Sequence, residues 1–240
     1  MWIDIEYSFD HVCGDAINFK AGGGKPIYPL RRFFVDEASA AKAAQAKLKV
    51  LQMGERQLTL DLIKNGVLIF GIDHRESILT PLNEEVILES ATFILDFMLP
   101  NERFLELTTN IANIPQKGAR HFTKFILFPV RLLFTLKEPN YVASNQEAVM
   151  YFKEHISPSF DESIDLQNMV ESAYECRNKS PYLPVFIDNL PKFQKSLLYL
   201  YSFCLFEYKV NLANTGKDHI ELLKQLSEVK TRLDHFLKQC

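Results

Sequence analysis

The stretch that decides the fold is Arg120–Phe152, which reads RHFTKFILFPVRLLFTLKEPNYVASNQEAVMYF. Its first part belongs to a segment, Ala119–Lys137, in which apolar residues recur at the three- and four-residue spacing of one helix face. Pro129 lies inside this helix and removes one backbone donor from it. Further on, Ser144-x-x-Glu147 has the spacing of a capping box, which marks a helix start. The sequence therefore predicts two helices joined by a tight turn over Leu136–Ala143.

The rest of the chain beyond about residue 79 is predicted to be helical as well. Asn83 is expected to cap a helix whose first turn holds Glu84 and Glu85, acidic residues that favour a helix N-terminus. The aromatic-rich segment Leu197–Tyr208 favours a buried core helix over a partner surface. The predicted helices span residues 83–98, a short segment from 101, and residues 119–137, 144–155, 163–177, 191–211 and 216–238.

The N-terminal part has a different pattern. Trp2–Phe9 alternates apolar and polar residues, which predicts a strand with Asp4 and Glu6 on one face. Helices are expected over residues 38–50 and 57–65, and a short apolar strand over residues 67–70. The predicted fold class is therefore α+β and predominantly α. A small N-terminal β/α domain, residues 1–78, is followed by an all-helical bundle domain, residues 79–240.

Composition excludes several functional classes. The net charge is −3, which argues against a broad nucleic-acid interface because phosphate binding needs a basic surface. The longest apolar stretch, Leu197–Phe206, is about half the length of a membrane span, and no secretory signal is visible. The four cysteines are far apart and form no C-x-x-C pair, which favours structural thiols in a reducing compartment. We expect a cytoplasmic protein with neither nucleic-acid nor membrane partners.

Short motifs along the chain resemble the aminoglycoside adenylyltransferases and their uncharacterised nucleotidyltransferase relatives. The matching pieces are a strand with acidic residues, a Tyr-Pro-x-basic-Arg stretch, a helix leading into an apolar strand, the segment that opens the helical domain and that domain's helix pair. In this chain they are Ile3–Glu6, Tyr28–Arg32, Leu60–Gly71, Thr80–Leu82 and Thr123–Tyr151. The resemblance covers roughly residues 1–178, and each motif is short and mostly apolar.

This resemblance implies a two-metal transfer of a nucleoside monophosphate from ATP onto a hydroxyl of a small molecule, with Mg²⁺ as the metal. It places Asp4 and its same-face neighbour Glu6 as catalytic residues, with Asp4 also as a metal ligand. It also places Arg31, Arg32 and Tyr141 among the substrate contacts. The glycine-containing turn of the aminoglycoside enzymes is not repeated here, so resistance to aminoglycosides does not follow.

The family's Gly-Ser turn and Asp-x-Asp metal pair occur nowhere in these 240 residues. We therefore expect a truncated or degenerate nucleotidyltransferase that is inactive as this chain. The alternative is a non-catalytic helical interaction module, such as a partner subunit of a two-component nucleotidyltransferase or toxin–antitoxin-like system. Its partner would be another protein or a second copy in a homodimer.

Simpler interpretations stand beside the functional ones. Asp4 and Glu6 would be ordinary solvated charges without the resemblance, and Arg31-Arg32 would be surface charges. Gly22–Lys25 suggests a phosphate loop, yet Pro26 follows where Ser or Thr should bind Mg²⁺, so a flexible loop is favoured. His121 is a candidate general base, although a histidine at a helix start is more often structural.

Overall fold

The computed structural model describes residues 14–16, 31–33, 55–65, 76, 79–159, 166–178, 190–215 and 219–240. The chain divides into two compact units. The first comprises Met1–Glu55 and Leu62–Leu79, and the second comprises Arg56–Asp61 and Thr80–Cys240. Where the domain boundary falls stays a prediction.

Two short strands are described in the first unit. Strand β1, Gly14–Ala16, pairs antiparallel with β2, Arg31–Phe33, so that Asp15 lies opposite Arg32. Neither strand was predicted, because three residues are too few for an alternating pattern to show. The predicted strands at residues 2–9 and 67–70, and the predicted helix at 38–50, lie outside the described residues.

The second unit is helical, and the predicted predominance of α-helix is confirmed for the residues that the structure describes. A first helix, α1, spans Glu55–Asn65, and its residues 56–61 belong to this unit. The helices that follow are α2 Asn83–Phe93, α3 Asn101–Thr108, α4 Asn113–Gln116, α5 Ala119–Lys137, α6 Asn145–Tyr151, α7 Leu166–Asn178, α8 Leu190–Asn214 and α9 Ile220–Leu237. Helix α2 continues into a π-helical turn, Ile94–Met98. Helix α6 continues into a second π-helical turn, Phe152–Ile156, which is followed by a 3₁₀ turn, Ser157–Ser159.

The predicted helix pair is confirmed as α5 and α6. Helix α5 begins and ends where the sequence pattern placed it and continues through Pro129. At the start of α6 the Ser144 hydroxyl accepts a hydrogen bond from the Glu147 N–H at 3.2 Å. The Glu147 carboxylate accepts one in return from the Ser144 N–H at 2.8 Å. Both halves of the predicted capping box are therefore present.

The predicted cap of α2 was placed one residue too late. Leu82 is the N-cap residue, because its carbonyl accepts the first helical hydrogen bond, from the Val86 N–H at 3.1 Å. Asn83 is already helical. The Glu85 carboxylate reaches back and accepts a hydrogen bond from the Leu82 N–H at 2.9 Å. An acidic side chain in the first turn thus satisfies the backbone donor that precedes the helix.

The core of this unit is built around α8, which packs against α9 and α5. Its residues Leu197, Leu198, Leu200, Tyr201, Cys204, Leu205 and Tyr208 are all buried, which confirms the core interpretation of this segment. The opposite side of α8 carries two exposed apolar residues, Phe206 and Val210. Among the described helices, none has the length and apolar character needed to cross a membrane.

Candidate functional site

The predicted catalytic residues Asp4 and Glu6 lie outside the described residues. Of the predicted substrate contacts, Arg31 and Arg32 lie in strand β2 of the first unit, and Tyr141 lies in the α5–α6 turn of the second. The predicted site as a whole therefore stays a prediction, and Tyr141 is the member whose side-chain surroundings the structure describes.

Tyr141 is half-buried and faces the start of α6. Its ring packs on Phe134 with 6.0 Å between ring centroids. Its hydroxyl donates a hydrogen bond of 2.5 Å to Glu147, the same carboxylate that closes the capping box. The exposed Glu147 carboxylate thus links Tyr141 in the α5–α6 turn to the N-terminus of α6.

This arrangement fixes the protonation states of both groups. The hydrogen bond from Tyr141, with those from Ser144, lowers the pKa of Glu147, and the same bond raises the pKa of Tyr141. At neutral pH the site therefore presents a carboxylate and a protonated phenol. A carboxylate with a lowered pKa is a weak general base, but it is a good acceptor for a ligand hydroxyl.

A second polar cluster lies between α3 and the start of α5. The carboxylate of Glu106 is buried, and Lys117 donates a hydrogen bond to it. His121 places Nε2 3.5 Å from the other oxygen of Glu106. Lys117 also lies 3.3 Å from the exposed Glu102. We refer to Glu106, Lys117 and His121 as the Glu106 cluster.

The surroundings of His121 do not suit a general base acting through Nε2. Among the described residues this nitrogen is buried and makes no hydrogen bond, and it faces the Glu106 carboxylate. The ring packs edge-on against Phe125 at 5.1 Å. Burial lowers the pKa of His121, although Glu106 acts to raise it. His121 is therefore neutral at pH 7 and links α5 to α3, which supports the structural interpretation.

Sequence analysis missed Glu106. Its neighbour Leu105 is exposed while Glu106 is buried, the reverse of what hydropathy predicts for these two positions. A periodicity argument places the leucine inside and the carboxylate outside. Only the positions of Lys117 and His121, eleven and fifteen residues further along the chain, explain why the carboxylate is inside.

A second buried carboxylate, that of Glu89, joins α2 to α1. Glu89 accepts hydrogen bonds from the backbone N–H of Arg56, at 3.3 and 3.2 Å to its two oxygens, and from that of Gln57 at 3.4 Å. The Arg56 guanidinium lies 3.8 Å from the same carboxylate. An acidic side chain at unpaired N–H groups of a helix start is a favourable arrangement. This site therefore anchors α1 and does not require a ligand.

The described cysteines and acidic residues form no recognisable metal centre. Cys176 and Cys204 are buried free thiols and Cys240 is an exposed one. Burial raises the pKa of Cys204 far above its ordinary value, so this thiol stays protonated and unreactive. Within the part of the chain that the structure describes, no group of three His, Cys, Asp or Glu side chains is placed to hold a metal ion.

Comparison with known proteins leaves the family resemblance untested. That resemblance rests on short motifs, and several of them, including the segment Ile3–Glu6, lie wholly or partly outside the described residues. The resemblance therefore stays a prediction. Protein-family models, curated proteins and solved structures were all compared with this chain, and none gives a significant match.

Proposed function

We propose that this chain is a nucleotidyltransferase-family protein, related to enzymes that transfer AMP from ATP to a hydroxyl of a small molecule. Its helical bundle shapes the cleft for that molecule, and the chain by itself does not catalyse the transfer. The observation that carries the proposal is the α5–α6 helix pair, because Thr123–Tyr151 is the longest segment of the family resemblance and forms two helices around a turn.

The turn between these helices suits a substrate contact. The Tyr141 hydroxyl and the Glu147 carboxylate share a 2.5 Å hydrogen bond at the surface of the bundle. The exposed carboxylate has acceptor capacity beyond its bonds to Tyr141 and Ser144, since each of its oxygens has two lone pairs. A small hydroxylated molecule could donate to it without breaking the helix cap.

The expectation of inactivity rests on the sequence. Phosphoryl transfer of this kind develops charge that bound metal ions neutralise. This chain contains neither the Gly-Ser turn nor the Asp-x-Asp pair, so Asp4 is the one carboxylate with a match in the family's metal site. One carboxylate is too few to hold two Mg²⁺ ions with a nucleotide.

Calorimetry with ATP and Mg²⁺ tests the proposal. We expect no micromolar binding to the isolated chain, with or without Mg²⁺. Mg²⁺-dependent micromolar binding that Asp4→Ala abolishes, and that the control Asp10→Ala leaves unchanged, would show that the chain holds a working metal site. The family assignment would then stand and the expected inactivity would be wrong.

A second candidate function is a helical interaction module, and the outer side of α8 favours it. Phe206 and Val210 are exposed by 46% and 40% and lie four residues apart, so they share one helix face. Exposed apolar residues on one face are typical of a protein-binding surface. The simplest partner to test is a second copy of the chain.

Light scattering coupled to size-exclusion chromatography tests the homodimer version of the interaction module. An interaction module that self-associates through this face gives a dimer, and the double variant Phe206→Ser/Val210→Ser gives a monomer. Met150→Ser is the matched control, because Met150 is equally exposed on α6 and should leave the dimer intact. A wild-type chain that stays monomeric at high concentration removes the homodimer version of this candidate.

A further inference from the structure

Helix α8 carries a continuous apolar stripe along its outer side. The stripe consists of Tyr199, Phe203, Phe206, Val210 and Ala213, which are separated alternately by four and three residues. The first two of these side chains are half-buried, and the last three are exposed. We refer to these five residues as the α8 seam. Their spacing is the one with which a helix packs along another helix in a coiled coil, so a second helix fits this seam.

Helix α9 borders the α8 seam without covering its middle. The Ser202 hydroxyl donates a hydrogen bond to the Asp234 carboxylate, beside the seam. Nζ of Lys230 lies 6.0 Å from the centroid of the Phe206 ring. Phe206 and Val210 nevertheless stay exposed. A helix of another molecule therefore has access to the middle of the seam.

The two halves of the α8 seam complement each other in size. The aromatic rings of Phe203 and Phe206 lie in its N-terminal half, and the smaller side chains of Val210 and Ala213 lie in its C-terminal half. In an antiparallel copy centred between Phe206 and Val210, each of these two residues faces the other in the second chain. Phe203 then faces Ala213. A parallel copy would instead set ring against ring and alanine against alanine. Close packing requires large side chains to face small ones, so the seam favours an antiparallel second copy.

The charges at the two ends of α8 agree with this orientation. Lys192 and Lys195 are exposed near its N-terminus. At its other end α9 begins, where Glu221 is exposed and Glu84 lies 3.6 Å from His219. An antiparallel copy brings the basic end of each α8 toward the acidic end of the other. Such charges at the edge of a contact act on orientation and association rate more than on affinity.

We propose that the α8 seam is the contact face of an antiparallel, two-fold dimer of this chain, in which Phe206 of each copy packs against Val210 of the other. The proposal rests on the second candidate function, the interaction module, and adds the orientation and register of its partner. A two-fold contact uses the same surface on both copies, so the assembly closes at two chains.

Disulfide cross-linking measures the orientation. The starting protein is the full chain with Cys13→Ser and Cys240→Ser, in which the two remaining thiols are buried. Phe206→Cys and Val210→Cys are made in it separately, mixed while dilute, concentrated and oxidised. Both positions are exposed, so the substitutions leave the core of the bundle intact.

We expect several-fold more cross-linked dimer in the mixture than in either variant alone. Positions 206 and 210 of opposite chains face each other in the antiparallel register. Identical positions are offset by four residues, which is about 6 Å along the helix axis. This offset, added to the separation of the two helices, exceeds the reach of a disulfide.

Exchanging the two side chains tests the register without cysteines. Phe206→Val alone leaves a gap opposite Val210, and Val210→Phe alone sets ring against ring. Each should raise the dissociation constant of the dimer, measured by sedimentation equilibrium, about tenfold, which corresponds to about 1.4 kcal/mol. The double variant Phe206→Val/Val210→Phe restores one large and one small residue in each contact, so its dissociation constant should return close to that of wild type. Met150→Ser, at an exposed position on α6, is the control and should change nothing.

The outcomes separate this proposal from the one on which it rests. Cross-linking of each cysteine variant to itself, with no gain in the mixture, shows a parallel pair; it overturns the antiparallel register and leaves the homodimer in place. A dimer that neither cysteine variant cross-links and neither swap weakens uses another face of the protein, which overturns the seam but not self-association. A wild-type chain that stays monomeric overturns both.

Discussion

The hydroxyl of Tyr201 donates a hydrogen bond of 2.9 Å to the carbonyl of Phe125 inside the core of the bundle. That carbonyl lies four residues before Pro129, which has no N–H to donate to it. Helix α5 therefore lacks the backbone hydrogen bond that this carbonyl would normally accept. The Tyr201 hydroxyl of α8 supplies a donor in its place. Both side chains are buried, so water cannot take its place.

We expect Tyr201→Phe to lower the free energy of unfolding by about 1–3 kcal/mol, because it leaves a buried carbonyl without a donor. Tyr208→Phe is the matched control. Tyr208 is equally buried and donates to the Leu132 carbonyl at 2.8 Å, but that carbonyl also has the N–H of Leu136 within helix α5. Urea unfolding followed by circular dichroism should show a smaller loss for Tyr208→Phe, and equal losses would contradict this account.

Replacing Pro129 tests whether the Tyr201 hydroxyl stands in for the backbone donor that the proline lacks. Pro129→Ala restores a backbone N–H four residues beyond Phe125, so the carbonyl regains a partner within the helix. Tyr201→Phe should then lower the free energy of unfolding by less in the Pro129→Ala background than in wild type. A double-mutant cycle measures the difference. If the two changes are additive, the hydroxyl does not replace the missing helical donor.

The helices of the bundle could be predicted because their signals are local. Helix α5 has a regular apolar face and α6 has a capping box, and both are confirmed within a residue or two. The π-helical turns after α2 and α6 were not predicted, since a single inserted residue leaves the surrounding periodicity almost unchanged. The interpretation of Leu197–Tyr208 as core is correct. Most of its residues are apolar, so the helix they form can avoid water only by lying inside the bundle.

The polar sites could not be predicted in the same way, because their partners are distant in sequence. Glu89 binds residues thirty-two and thirty-three positions earlier, and its burial depends on where α1 begins. Glu106 is buried while Leu105 is exposed, and no local pattern indicates that inversion. Tyr141 is a predicted substrate contact on the family resemblance, and no sequence pattern indicated its hydrogen bond to Glu147.

Glu89 supplies the next prediction. Its carboxylate accepts backbone hydrogen bonds from Arg56 and Gln57 at the start of α1. We expect Glu89→Gln to lower the free energy of unfolding by about 1.5–3 kcal/mol, the range for hydrogen bonds to a charged group. The loss arises because the glutamine side chain is neutral, and because its NH2 group, which cannot accept a hydrogen bond, replaces one of the two carboxylate oxygens that face these N–H groups.

Glu85→Gln is the control for this site. Glu85 also contacts Arg56, at 3.4 Å, but its side chain is 42% exposed. An exposed ion pair contributes little, so the control should lose less than Glu89→Gln. Hydrogen exchange of the Arg56 and Gln57 amides gives a local readout. Unchanged protection of these amides in Glu89→Gln would show that the carboxylate does not hold the start of α1.

Glu147 makes the helix pair sensitive to acid. Hydrogen bonds from Tyr141 and Ser144 lower the pKa of Glu147 from 4.5, so its contribution to stability is complete above 4.5 and is lost as the pH falls through the lowered value. The unfolding free energies of wild type and Glu147→Gln should therefore differ at about pH 7 and converge toward about pH 3. Tyr141→Phe removes the largest cause of the shift, so the pKa of Glu147, followed by carboxyl NMR, should rise toward 4.5 in that variant. A pKa of Glu147 that does not move in Tyr141→Phe would show that the phenol does not stabilise the charged carboxylate.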